Sequence, residues 1–277
     1  MRLYNIAGKG YEQNKMKLAI SNIAWNNSYN EEMYEYLKNV GFSGLEIAPT
    51  KIFGQTPYER ISDAVAYSKE LMDGYGLCVP SIQSIWFGKN ETIIGSEEEY
   101  NELLSYTRKA IDFAAAINCN NLVFGCPRNR NISNPKDINI VIDFLRSVGE
   151  YAIKKGTVFA LEANPPIYNT NFMNTTKEAI DIISKIDCEG IKLNLDLGTM
   201  IYNREDIELL SDSVSLINHV HISEPYLAVI EKRELHEHLA RLLDKYLYRG
   251  YISIEMKEQN SIDVIKRAIK YISEVFG

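Results

Sequence analysis

Cysteine is scarce and scattered: the chain of 277 residues carries four, Cys78, Cys119, Cys126 and Cys188, and no Cys-x-x-Cys pair. That excludes a redox dithiol motif and a zinc knuckle, and leaves small buried or half-buried thiols in a reducing compartment. Glycine-rich loops of the Gly-x-Gly-x-x-Gly or Gly-x-x-x-x-Gly-Lys-Ser/Thr kind are missing, which argues against dinucleotide and P-loop nucleotide sites. No apolar run approaches the roughly 18 residues of a membrane span, and the opening MRLYNIAGKGYEQNK lacks the apolar centre of a signal peptide. The expectation is a cytoplasmic protein with no membrane partner. Positive charge is in deficit, at 30 Lys plus Arg against 37 Asp plus Glu, a net charge of −7. A general attraction to nucleic acid is therefore not expected, because such binding is driven by clustered Lys and Arg. Histidine is sparse too, with only His219, His221, His236 and His238.

What the chain does have is hydrophobic content of 45% and a pattern repeated eight times, an apolar or β-branched run, a turn, then a longer helical-period segment. The strand candidates are 17–22, 43–47, 79–84, 120–125, 157–162, 191–196, 217–222 and 251–256. Between them lie segments such as EEMYEYLKNVG, EEEYNELLSYTRKAIDFAAAIN and NIVIDFLRSVGEYAIKKG, whose apolar residues recur three and four apart. Glycines at 41, 156 and 190 read as helix stops. Eight alternations at this length predict an α/β protein, a single-domain (β/α)8 TIM barrel over 16–277 behind an N-terminal extension at 1–15. A doubly wound open sheet is the rival, and it lacks its usual glycine-rich first turn.

Four polar residues, Glu162, Asp196, His221 and Glu255, close the runs VFALE, IKLNLD, NHVHI and YISIE, at separations of 34, 25 and 34 residues. Strand ends at one rim are where such barrels assemble metal sites and catalysis. Side-chain alternation places Asn194 and Lys192 on the same inward face as Asp196, with Leu193, Leu195 and Leu197 outward. Ala160, His219 and Ser253 then lie one layer below Glu162, His221 and Glu255. Three carboxylates and an imidazole converging on one point repel one another without a cation, so the quartet predicts one divalent metal. Hard oxygens plus one nitrogen suit Mn²⁺, Mg²⁺, Co²⁺ or Zn²⁺. The competing reading is four unrelated polar strand ends that cap helices or pair with lysines.

With GFSGLEIAP on the second strand, the Glu of LEAN, the Asp of NLDLG, the second His of HVHISE and the terminal YRGYISIEM, the chain resembles the sugar isomerase/epimerase-like TIM barrels. That family is related to xylose isomerase, ketose 3-epimerases, inosose dehydratase and the apurinic endonucleases of the same fold. The resemblance implies a metal-dependent isomerase or epimerase acting on a sugar or sugar phosphate. Glu162, Asp196, His221 and Glu255 would hold the ion, and Glu162 and Glu255 would also move the proton next to a carbonyl. An inosose-dehydratase-like lyase and a non-catalytic sugar-binding barrel are the alternatives. Departures are visible: Thr199 stands where many members place a histidine three residues after the metal Asp, and Leu227 stands near the arginine of the free-ketose epimerases. Four histidines are too few for the three-metal cluster of the endonucleases.

Other rim residues are candidates for reading the substrate. Arg128 and Arg130, in FGCPRNRN, are placed to hold a phosphate or carboxylate, unless they are ordinary surface arginines. Gln83, Trp86 and Trp25 follow early strands, the tryptophans offering a stacking face or plain core. Glu46 points inward, as a substrate hydroxyl acceptor or in a buried ion pair with a residue such as Lys192. Asn164 begins a loop over the rim, and Glu224 and Lys257 sit just past ligand positions. His219 reads as an interior residue, and His236 and His238 as a solvated helix start. Barrels with exposed loops often pair, so a homo-oligomer is compatible with the sequence.

Overall fold

Seven short strands, β1 (Lys17–Ser21), β2 (Gly44–Glu46), β3 (Leu122–Phe124), β4 (Phe159–Glu162), β5 (Ile191–Asp196), β6 (Ile217–Ile222) and β7 (Tyr251–Ile254), make one sheet. All pairings are parallel, in the order β2-β1-β7-β6-β5-β4-β3. The coordinates are a computed structural model describing residues 16–277, so the expected extension at 1–15 lies outside the described residues.

The eighth expected strand, 79–84, is an extended segment rather than a regular strand, yet it joins the two sheet edges. On the β2 side, Leu45 N–H reaches Cys78 O at 2.9 Å, and Gln83 N–H reaches Ile47 O at 2.9 Å. On the β3 side, Ile82 N–H reaches Asn121 O at 3.0 Å and Val123 N–H reaches Ile82 O at 2.9 Å. Pro80 has no N–H to give a ladder, and Ser84 turns the chain away at φ 54°. The segment is pulled close: a Cβ on Gly44 would sit 2.9 Å from Pro80 Cγ and 2.8 Å from Ala19 Cβ. The outcome is a TIM barrel.

The three quoted helical segments form Asn30–Asn39, Glu97–Ala116 and Asp137–Lys155. Ser96 and Glu99 close the second of these with reciprocal side chain to backbone bonds. Gly156 takes the left-handed conformation expected of a helix stop, at φ 75°. Gly190 does not. The preceding helix, Thr176–Ile186, stops at Asp187, and a Cβ on Gly190 would lie 2.1 Å from Gly149 O. Gly190 is needed for close approach of backbone to helix.

Outward strand residues such as Leu161, Leu193, Leu195, Val220, Ile252 and Ile254 are buried in one continuous core with the helices' Phe144, Val148, Ile183 and Ile269. The inward face is polar instead. Asn121 donates to Ser81 Oγ at 2.9 Å, Ser81 to Glu46 at 2.7 Å, Ser253 to Glu46 at 2.8 Å, and Gln83 to Ser21 at 2.8 Å. All four cysteines are free, Cys119 and Cys126 buried, Cys78 and Cys188 half-buried. Among the described residues no helix is long and apolar enough to cross a membrane.

Candidate active site

Strand register brings the quartet together. Asp196 lies opposite His221, His221 opposite Ser253, and Glu162 opposite Asn194, with Glu255 one residue past the end of β7. Ligand atoms of Glu162, Asp196, His221 and Glu255 lie within 4.8 Å of one another, and all four residues are buried.

Each member has its own support. Glu162 is held by two amides, Asn194 Nδ2 on Oε1 at 2.7 Å and Asn164 Nδ2 on Oε2 at 3.1 Å. Asp196 caps the short helix Leu197–Asn203 by accepting from Thr199 N–H at 2.6 Å, and its other oxygen accepts from the Ser223 hydroxyl. His221 puts Nε2 3.0 Å from Glu46 Oε1, while Nδ1 stands 3.0 Å from Glu162 Oε1 and 3.3 Å from Glu255 Oε2. Glu255 has the imidazole as a close neighbour and no side-chain hydrogen bond among the described residues.

Electrostatics show a site overloaded with negative charge. Burial, with Glu162 and Glu255 close by, pushes the Asp196 carboxyl up to about 7. Burial likewise raises Glu255 against the pull of His221. Burial opposes charge on His221, but Glu46, Glu255 and Glu162 together carry it well above the usual imidazole range. Glu46, despite complete burial, is held well below the carboxylate range by His221 and His219. The buried Nδ1 of His221 is near two carboxylates but in hydrogen-bond geometry with neither. An orphaned ring nitrogen amid three carboxylates is a donor set that fits a divalent cation.

Above the quartet opens a cavity of about 540 Å³, within the range of small-molecule sites. Glu162, Asp196 and Glu255 form its floor, and Gln83, Trp86, Arg128 and Asn164 line it. Several expected substrate contacts are spent elsewhere. Arg130 is fully buried, donating to Glu162 O at 2.8 Å, Phe124 O at 3.3 Å and Asn164 Oδ1 at 3.0 Å, so its guanidinium braces the rim rather than a phosphate. Glu46 lies beneath the floor, and its partner is not Lys192, which pairs with Glu189 at 2.8 Å near the start of β5. Glu224 is buried in a two-pronged ion pair with Arg233, at 2.7 and 2.6 Å, away from the cavity. Lys257 is exposed and outside the lining. Trp86 spends its indole N–H on Thr107 at 2.9 Å, and Trp25 is buried core bonded to Asn30.

His219 is an interior residue, 3.6 Å from Glu46 Oε1. His236 is not solvated: it is buried and shares Nδ1 with Tyr271 Oη at 3.0 Å, whereas His238 is exposed. Thr199 donates its hydroxyl proton to Ala163 O at 2.8 Å, which leaves only its oxygen lone pairs free. Residues the sequence did not single out include Tyr168 and Phe87 in the lining and Ser223 under Asp196. The Tyr168 hydroxyl accepts from Tyr226 N–H at 2.9 Å and is pushed up to about 12, chiefly by burial and then by Asp196.

Residues 34–275 match the family model described as the xylose isomerase-like TIM barrel. The chain belongs to that family. Comparison with curated proteins gives no match. Among solved structures, 3-keto-D-glucoside 4-epimerase of E. coli superposes with a TM-score of 0.75 at 21% identity, over 94% of this chain and 100% of that one. D-psicose 3-epimerase of Clostridium cellulolyticum H10, solved with D-tagatose, gives 0.75 at 16% identity over 94% and 99%. A family 2 AP endonuclease of Brucella melitensis gives 0.72 at 17% identity over 95% and 100%. At such identities the likeness is one of fold, and the xylose isomerase-like barrel hosts more than one chemistry.

Proposed function

We propose that this xylose isomerase-like barrel is a divalent-metal-dependent sugar or sugar-phosphate isomerase or epimerase that abstracts a proton next to a carbonyl. The observation that carries the reading is the quartet, four convergent donors including an unpartnered buried imidazole nitrogen, whose three carboxylates line a ligand-sized cavity. Epimerases acting on sugars among the structural neighbours support the substrate class.

Glu162, Asp196, His221 and Glu255 would hold the ion, which when bound polarises a carbonyl and adjacent hydroxyl and so acidifies the neighbouring C–H. Glu162, fixed by Asn194 and Asn164, keeps its carboxylate plane in one orientation at the cavity floor. Glu255, free of amide partners, can approach or leave a substrate carbon. One of the two carboxylates takes the proton and the other returns it. Apolar Leu227 and buried Trp86 limit water at the reacting carbon, and Gln83 and Arg128 offer donors to substrate oxygens.

The test is a solvent-deuterium exchange screen over ketoses, aldoses, inososes and their phosphates with added Mn²⁺. Label entering the carbon next to a carbonyl, with molecular mass otherwise retained, supports the reading. Exchange followed by loss of water would make the protein a lyase, and no exchange across the panel would sink the proposal.

A further inference from the structure

Phe87 is 70% exposed, while its neighbour Trp86 is 2% exposed. A loose loop is not the cause. Trp86 anchors the loop through Thr107 and packs edge-on against Phe124 and Phe144 at 5.1 and 5.8 Å. Phe87 N–H bonds Ser84 O at 2.9 Å and Lys89 N–H bonds Trp86 O at 3.0 Å, with Gly88 at φ 83° completing the turn. A well-tied turn therefore presents an aromatic ring to solvent in a fixed position.

The ring stands between two hollows. The cavity above the quartet and a neighbouring cleft of about 550 Å³ share Ile23, Ser84, Phe87 and Gly88 as a common wall. Apart from Ala48 and Gly54, the far side of that cleft is polar, with Thr50, Lys51, Gln55 and Glu258. Lys51 is held by Trp25 O and lies 3.5 Å from Glu258, and the Gln55 carboxamide has no hydrogen-bond partner among the described residues.

We propose that this cleft is a second carbohydrate subsite and that the substrate is a glycoside, its reacting sugar over the quartet and its second ring stacked on Phe87. The inference rests on the sugar reading of the inner cavity. A pyranose has an apolar C–H face and a rim of hydroxyls; the cleft has one aromatic face and a rim of short, charged and amide side chains. A docked protein segment would need a broader apolar surface than one phenyl ring, Ile23 and Ala48 provide. The cleft's continuity with the cavity along Phe87 supplies the path for a glycosidic link.

Ligand-observed NMR titrations on the full chain test this without turnover. Sucrose, maltose, cellobiose and phenyl β-D-glucoside are compared with D-glucose and D-fructose on wild type, Phe87→Ala and Phe87→Trp. At least one glycoside should bind tenfold or more tighter than its component monosaccharide. Phe87→Ala should remove that advantage, weakening the glycoside far more than its component monosaccharide with the melting temperature unchanged, and Phe87→Trp should keep it. The proposal is overturned if no glycoside gains over its monosaccharide, weak or undetectable binding by both included, or if Phe87→Ala weakens both alike. It is equally overturned if sedimentation shows a wild-type dimer that Phe87→Ala dissociates, since the ring would then face another copy. Failure here with deuterium exchange intact removes only the subsite, whereas absent exchange removes the enzymatic reading.

Discussion

Glu46 Oε1 lies 3.0 Å from His221 Nε2, with both side chains fully buried. Glu46 also accepts from Ser81 on Oε1 at 2.7 Å and from Ser253 on Oε2 at 2.8 Å, so it is an anion fastened on three sides. A carboxylate can only accept, which assigns the proton to Nε2 and, in the neutral ring, turns the Nδ1 lone pair toward Glu162, Asp196 and Glu255. Partners of this kind fix ring orientation and raise ligand basicity. Glu46→Gln should lower divalent-metal affinity by about 10- to 100-fold, read by competition with a metallochromic chelator, with the circular dichroism spectrum retained. Unchanged affinity would show that Glu46 serves only packing.

Metal content is the direct probe of the quartet. Elemental analysis of purified protein should find near one divalent ion per chain, and Asp196→Ala should lose it. An ion that persists in Asp196→Ala would mean the quartet is not its site.

Proton movement is probed at Glu255, which lacks the amide partners that immobilise Glu162. Glu255→Gln should abolish solvent-deuterium incorporation into substrate, a fall of at least about 100-fold for loss of a general acid or base. Normal exchange would remove Glu255 from the chemistry.

Arg130 makes a stability prediction. Replacing it with Met leaves the carbonyls of Glu162 and Phe124 and the Oδ1 of Asn164 without their donor. Each buried acceptor left unpaired costs roughly 1–3 kcal/mol, so Arg130→Met should lose about 3 kcal/mol or more in urea unfolding. A loss under about 1 kcal/mol would show that water or a rearranged loop replaces the guanidinium.

Acid sensitivity should be traceable to His236. Burial, then the Arg233 charge, lowers its imidazole from 6.5 to about 4. Because the folded value is depressed, the unfolded chain binds the extra proton first. The neutral ring's contribution is full above pH ~6.5 and is lost as pH falls toward ~4, by at most about 3 kcal/mol. His236→Gln, which can still meet Tyr271, should flatten that part of the stability curve; parallel wild-type and variant curves between those limits would refute the assignment.

The quartet was legible in the sequence because strand alternation has a period of two, so a polar residue ending an apolar run declares both its rim and its face. The eight-fold alternation carried the barrel for the same reason. Arg130 and Glu224 were legible as rim positions, but not in what they do. Their partners, Asn164 and Arg233, are met only through loop conformation, which has no period. Segment 79–84 has strand composition, yet one missing N–H at Pro80 reduces it to bridges. Gly190 has the position of a helix stop, but its need is set by Gly149 on the neighbouring helix. Glu46 had the right face and the wrong partner, because depth along the barrel axis depends on strand stagger.

Ring closure between β1 and β7 pairs Lys17 with Tyr251, and Ile20 with Ile254. During synthesis the first of these strands must therefore wait, unpaired on that edge, until Tyr251–Ile254 has been made. The four strands bearing Glu162, Asp196, His221 and Glu255 are consecutive and adjacent, so they can pair as each emerges. On the ribosome the metal-ligand half should take shape as a growing sheet, with the barrel sealed as a late, long-range event. Chaperone dependence should then track exposure of the waiting β1 edge rather than assembly of the site.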